Sequence, residues 1–289
     1  MKRRLGGGLL ALILGCAGSP AKVPPSAATP ADASTGSQRA IPADLTEAIE
    51  RSFLIGRELY MLDGVAALAT DVLFEKISDA HYQALGGYLP LRESVEHGRA
   101  QDSFLVTFFT REHPPRVAYE VRVVPDELPA FVALSPPKPV SETMAELIRA
   151  RQTAIDAMPP TRQPINPILL PAEFDGEEGS LVYLLAGTTT PHLAVFGQHF
   201  RALVPAGGSK PKYLLPLSSS ALEVPTRGPK GEWVAALTVT HLVTDYPLET
   251  HVLTGLQFGM PVYVTTSRGS WRVSGGGRIA FLGAGESAE

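Results

Sequence analysis

The sequence predicts an α+β protein in which two helices of the N-terminal half pack on a mainly antiparallel β-sheet system, followed by a C-terminal half of β-hairpins. Three observations predict it. Apolar residues recur twice at helical spacing before residue 160, period-two strands lie between those two stretches, and after residue 166 short apolar runs alternate with turn signals.

The first helix opens at Asp44-Leu45-Thr46-Glu47, which has the spacing of a capping box. Leu45, Ile49, Phe53 and Tyr60 recur at near-helical spacing and predict a helix over 44–61; Asp63-Gly64 either breaks it or caps a continuation through Ala66 to Phe74. In RVAYEVRVV, Val117, Tyr119, Val121 and Val123 alternate with Arg116, Ala118, Glu120 and Arg122, which puts one face on a core and one in water. FLVTFFT, residues 104–110, pairs with it across His113-Pro114-Pro115. The second helix is capped by Ser141, carries the stripe Met144, Leu147, Ile148, Ile155 and Met158, and ends at Pro159-Pro160. Arg151 falls on that stripe, either as an edge residue with its head in water or as a buried cation paired with a carboxylate. Beyond residue 166, runs such as LVYLLAGT, WVAALTVTHLV and PVYVTT are divided by PAGG, TRGPKG, FGMP and SGGG. Turn signals this close together favour hairpins over βαβ crossovers, which need about a dozen residues or more each.

The front of the chain carries an address. Lys2, Arg3 and Arg4 precede an apolar stretch from Leu5 to Gly15, and Cys16 follows. That stretch is too short to span a bilayer, which takes about twenty apolar residues, so residues 1–15 read as a signal peptide. Ile13-Leu14-Gly15-Cys16 resembles the lipobox of bacterial lipoproteins, and the resemblance implies lipidation of Cys16 and a membrane anchor, with the outer membrane favoured. Cys16 is the single cysteine of the 289 residues, so no disulfide forms within the chain, and lipidation caps an otherwise exposed thiol. Residues 16–42 are rich in Ala, Pro, Ser, Thr and Gly and cannot bury enough apolar surface to order themselves. They form a tether reaching roughly 28 Å if flexible and about 80 Å if drawn into polyproline II. Residues 43–289 then make one α+β domain.

Removal of residues 1–15 takes away three of 25 basic side chains, leaving 22 against 29 acidic ones and a formal charge of −7. An acidic chain without clustered Lys and Arg is a poor partner for nucleic acid. RARQTAI, INPILLPAE, VYLLAGTT, GQHFRALV, PLETHVLTGLQFGMPVYVTT and SWRV, over roughly residues 50–281, resemble a group of secreted bacterial proteins of uncharacterised function. That resemblance implies no activity, cofactor or site residue.

Several catalytic motifs fail on context. Ser135-Pro136-Pro137-Lys138 has the spacing of penicillin-recognising enzymes, but two prolines forbid the helix they need. The acidic run Glu173 to Glu178 lacks the alternating oxygen ligands of a calcium loop. HLVTDYPLETHV, residues 241–252, is richer. A three-residue hairpin loop at Asp245-Tyr246-Pro247 would put His241 opposite His251 and project both, with Glu249, from one sheet face, the ligand set of a hydrolytic zinc. His199 or His192 could add a ligand from another strand. The competing reading is a turn whose polar residues serve the fold, with a hydrogen-bonded histidine at the rim of a core. The sequence calls for no cofactor, and the reading it favours is a lipid-anchored envelope protein that binds another envelope protein or a small molecule.

Overall fold

The computed structural model describes residues 38–93, 103–161, 163–188 and 190–284. The expected signal peptide, Cys16 and most of the expected tether lie outside them. Arg39 donates its backbone N–H to Phe281 and Ile41 packs on the core, so the folded unit begins before residue 43.

A 3-10 turn over Ala43–Leu45 leads into helix α1, Thr46–Lys76. Asp44 does not cap it; its carboxylate pairs with Arg268 at 3.0 Å instead. The helix runs unbroken through Asp63-Gly64, because Gly64 sits on the exposed side where its lost packing costs only about 1 kcal/mol. After the short α2, Asp79–Gln83, strands β1 (Leu85–Glu93), β2 (Ser103–Thr110), β3 (Arg116–Val123) and β4 (Ala130–Pro139) form an antiparallel meander. The predicted β2–β3 pairing is present, with Phe108 opposite Tyr119 and Val106 opposite Val121. Ser135-Pro136 lies in β4, an edge strand.

Helix α3, Glu142–Ala157, has the predicted cap: Ser141 Oγ accepts the N–H of Met144 at 3.2 Å. Its stripe packs on a second antiparallel sheet, of β5 (Ile165–Pro171), β6 (Ser180–Ala186), β8 (Phe200–Val204) and β9 (Tyr213–Pro216). Strand β6 is buried at every residue because α1 covers one face of this sheet and α3 the other. Arg151 fits neither sequence reading. It is 5% exposed and its guanidinium lies 5.9 Å from the Phe109 ring, yet no carboxylate among the described residues pairs with it and Nε has no hydrogen-bond partner.

Strand β7 (Leu193–Phe196) pairs with β10 (Leu222–Pro225), and the last sheet has the order β11 (Leu237–Thr240), β12 (Val262–Thr266), β13 (Gly269–Val273), β14 (Ile279–Gly283). The α+β class holds, but the C-terminal half is not all hairpins. Strands β11 and β12 are parallel, and helix α4, Glu249–Phe258, makes the crossover between them. Gly259, at φ 62°, ends this helix. The helix is buried from Glu249 to Gly255, against α1 on one side and the last sheet on another. Gly56 of α1 permits the contact: a Cβ there would lie 2.5 Å from the Cβ of Val252.

Candidate functional site

The hairpin expected at Asp245-Tyr246-Pro247 does not exist; those residues lead from β11 into α4. His241 and His251 nevertheless meet, one just past the end of β11 and the other in the first turn of α4. Their ring centroids are 4.8 Å apart with planes at 83°. Glu249 turns away from them. Its Oε1 accepts from the Tyr183 hydroxyl at 2.9 Å and from Arg201 Nη1 at 3.3 Å, in a buried cluster that ties α4 to β6 and β8. His192 is elsewhere, edge-on to Trp233 at 5.4 Å.

His199, by contrast, joins the pair at one cleft. The cleft encloses about 60 Å³ and lies between the β7–β8 turn, the serine run 218–220 and the start of α4. Gly197 holds its floor together: with φ at 107°, a side chain there would collide with the Ser220 carbonyl and come 2.9 Å from the Ala221 Cα.

On two of the three rings the hydrogen bonds fix which nitrogen carries the proton. His251 Nδ1 accepts the Leu248 N–H at 3.0 Å, which caps the helix and puts the ring proton on Nε2. That Nε2–H has no acceptor among the described residues. His199 Nδ1 accepts from the Ala186 N–H at 2.9 Å, so its Nε2–H is the donor to the Val195 carbonyl at 3.2 Å and both nitrogens are satisfied. His241 Nε2 lies 2.9 Å from Thr244 Oγ1, whose proton goes to the Tyr246 carbonyl at 2.6 Å, and accepts the Thr244 N–H at 3.3 Å. The first contact is made with Nε2 protonated and the second with Nε2 bare, so each tautomer satisfies one of them; Nδ1 has no partner among the described residues.

Burial holds all three imidazoles neutral. It pushes His199 and His241 down to about 4, and His251, beside His241, down to about 3. A metal ion needs lone pairs, and His251 offers the cleft a proton, His199 nothing, and Glu249 is bonded elsewhere. No three His, Cys, Asp or Glu side chains among the described residues converge to hold a metal. The arrangement serves hydrogen bonding instead. Thr250, in the same wall and 6% exposed, has a hydroxyl without a partner among the described residues.

The sequence pointed to His241, His251 and His199 but not to Thr250, Gly197 or Ser218. A Gly-Gln turn and a serine run give no signal that separates a cleft from an ordinary loop. Comparison of the chain with protein families, with characterised proteins and with solved structures finds no match.

Proposed function

We propose that this chain is a lipid-anchored cell-envelope protein with a non-enzymatic binding role, and that its ligand sits in the cleft at His241 and His251. The observation that carries the binding role is the gathering of free hydrogen-bonding groups at one cavity: Nε2–H of His251, Nδ1 of His241 and the Thr250 hydroxyl. None of the three belongs to the fully buried, unpartnered side-chain atoms of the described residues, so water reaches them and a matching ligand takes its place.

The envelope placement rests on the basic n-region, the short apolar stretch, Cys16 and the tether that follows. The alternative, a metal-assisted hydrolase on His241, Glu249 and His251, requires Glu249 to leave Tyr183 and Arg201 and His251 to give up the α4 cap.

Two measurements test the two halves. Detergent partitioning of the full chain and its Cys16→Ser variant should show the anchor lost in the variant; equal partitioning contradicts it. Retention of the unanchored Cys16→Ser chain on isolated cell envelopes should fall when Ser218→Trp is added to fill the cleft. Equal retention by both contradicts the site.

A further inference from the structure

The donors of the cleft narrow its ligand, on the reading that the cleft is a binding site. His251 is 4% exposed and its Nε2–H has no acceptor among the described residues; the hydroxyl of Thr250, 6% exposed, has no partner among them either. Both atoms escape full burial, and the cleft is where their residues meet solvent. Thr250 and His251 belong to the first turn of α4, so the positive end of a helix of ten residues lies behind these donors. Glu249, the carboxylate of that turn, is bonded to Tyr183 and Arg201, and no Asp or Glu lines the cleft. His241 supplies a further donor in the tautomer that carries its proton on Nδ1 and lets Nε2 accept the Thr244 N–H.

We propose that the cleft takes the carboxylate of a small apolar acid, which accepts from the His251 Nε2–H and from the Thr250 hydroxyl. Donors at a helix N-terminus with no carboxylate facing them favour an anion. No Lys or Arg lines the cleft and its histidines are neutral, so nothing there offsets the two charges of a phosphate. A carboxylate carries one charge, shared over two acceptor oxygens. The chain behind it meets apolar surface. Phe196 and Val239 line the walls, and Leu222, 42% exposed, and Leu242, 73% exposed, stand at the mouth, where contact with a hydrocarbon chain removes them from water.

The test is a titration of the full chain, nitrogen-15 labelled and at neutral pH, with hexanoate, hexanol and hexylamine, up to about 10 mM, where an affinity of about 1 mM saturates. Hexanoate is expected to move the imidazole resonances of His241 and His251, while the alcohol and the amine of the same chain leave them in place. Thr250→Val should weaken hexanoate binding about fivefold, as the loss of one hydrogen bond does, and Thr250→Ser should retain it. A peptide ending in a free leucine carboxylate, run beside hexanoate, tells a chain terminus from a free acid by which of the two binds more tightly. Shifts as large with hexanol as with hexanoate would overturn the carboxylate and leave the cleft an apolar site. No shift with any of these compounds would overturn the assignment, while the envelope-retention comparison with Ser218→Trp separately judges the cleft.

Discussion

The Tyr183 hydroxyl donates to Glu249 Oε1 across 2.9 Å in the core, joining the central strand β6 to the first residue of α4. Burial and the Glu249 carboxylate together raise the Tyr183 phenol well above its ordinary range. The phenol therefore stays protonated and keeps donating. Arg201, 17% exposed on its side chain, completes the cluster. Glu249→Ala is expected to destabilise the fold by about 3 kcal/mol, because it strips buried donors of a charged acceptor. Tyr183→Phe removes one bond and should cost about 1–2 kcal/mol. Urea unfolding checks both; a Glu249→Ala variant as stable as wild type would mean the cluster does not hold α4.

Two glycines of α1 should respond in opposite directions. Gly56→Ala places a methyl against Val252 at 2.5 Å and against the Glu249 carbonyl at 2.7 Å, forcing α1 and α4 apart. Overpacking of this kind costs about 1–3 kcal/mol. Gly64→Ala meets nothing within 4 Å and should stabilise by about 0.5–1 kcal/mol through helix propensity and a less free unfolded chain. Thermal melts of the two variants should bracket the wild type, and shifts of the same sign would contradict the α1–α4 contact.

Acidification should weaken the fold through the three histidines. Their folded pKa values lie at about 4, 4 and 3, below the unfolded value near 6.5, so the unfolded chain binds more protons across that interval. Their contribution is fully present above about pH 6.5 and is lost as pH falls to about 4 for His199 and His241 and to about 3 for His251, by up to roughly 1.4 kcal/mol per unit for each histidine. Asp63, raised by burial, works in the opposite direction, its contribution being lost as pH rises through its folded pKa. Urea midpoints should drop from pH 7 to pH 5, and less steeply in His251→Gln. A flat profile would mean the imidazoles are solvated.

Much of the fold was legible because local signals agreed with burial. Ser141 and Pro159-Pro160 bracket α3, and the alternation of 119–123 is the register of β3, whereas a bulge between Val117 and Tyr119 buries Ala118, which the alternation put in water. Helix α4 was hidden for a physical reason: ETHVLTGLQF is buried on almost every side, so no polar face marks a helical period. Its Thr and Val residues also favour strands. Missing α4 meant missing the parallel β11–β12 pair, and the pairing of His241 with His251 was anticipated by a hairpin that is not there. Glu249 was misplaced for the same reason: the helix, not a strand, sets its direction. The partners that occupy it, Tyr183 and Arg201, lie 66 and 48 residues away, beyond any local pattern.

Arg151→Met should leave stability unchanged or raise it by about 1–2 kcal/mol, since it replaces an unpaired buried cation with an apolar side chain of similar length. Desolvation already lowers the guanidinium's pKa. A loss above about 2 kcal/mol in urea unfolding would show that an anion satisfies Arg151 in solution.

The proton on His251 decides between a hydrogen-bonding cleft and a metal site. Nitrogen-15 spectra of the imidazoles in the full chain, at neutral pH and with chelator or zinc added, read it directly. The structure predicts Nε2 protonated, Nδ1 bearing the lone pair that accepts from Leu248, and no change with either addition. A lone pair on Nε2, or a shift of both His241 and His251 on adding zinc, would contradict the account and favour the metal-assisted reading.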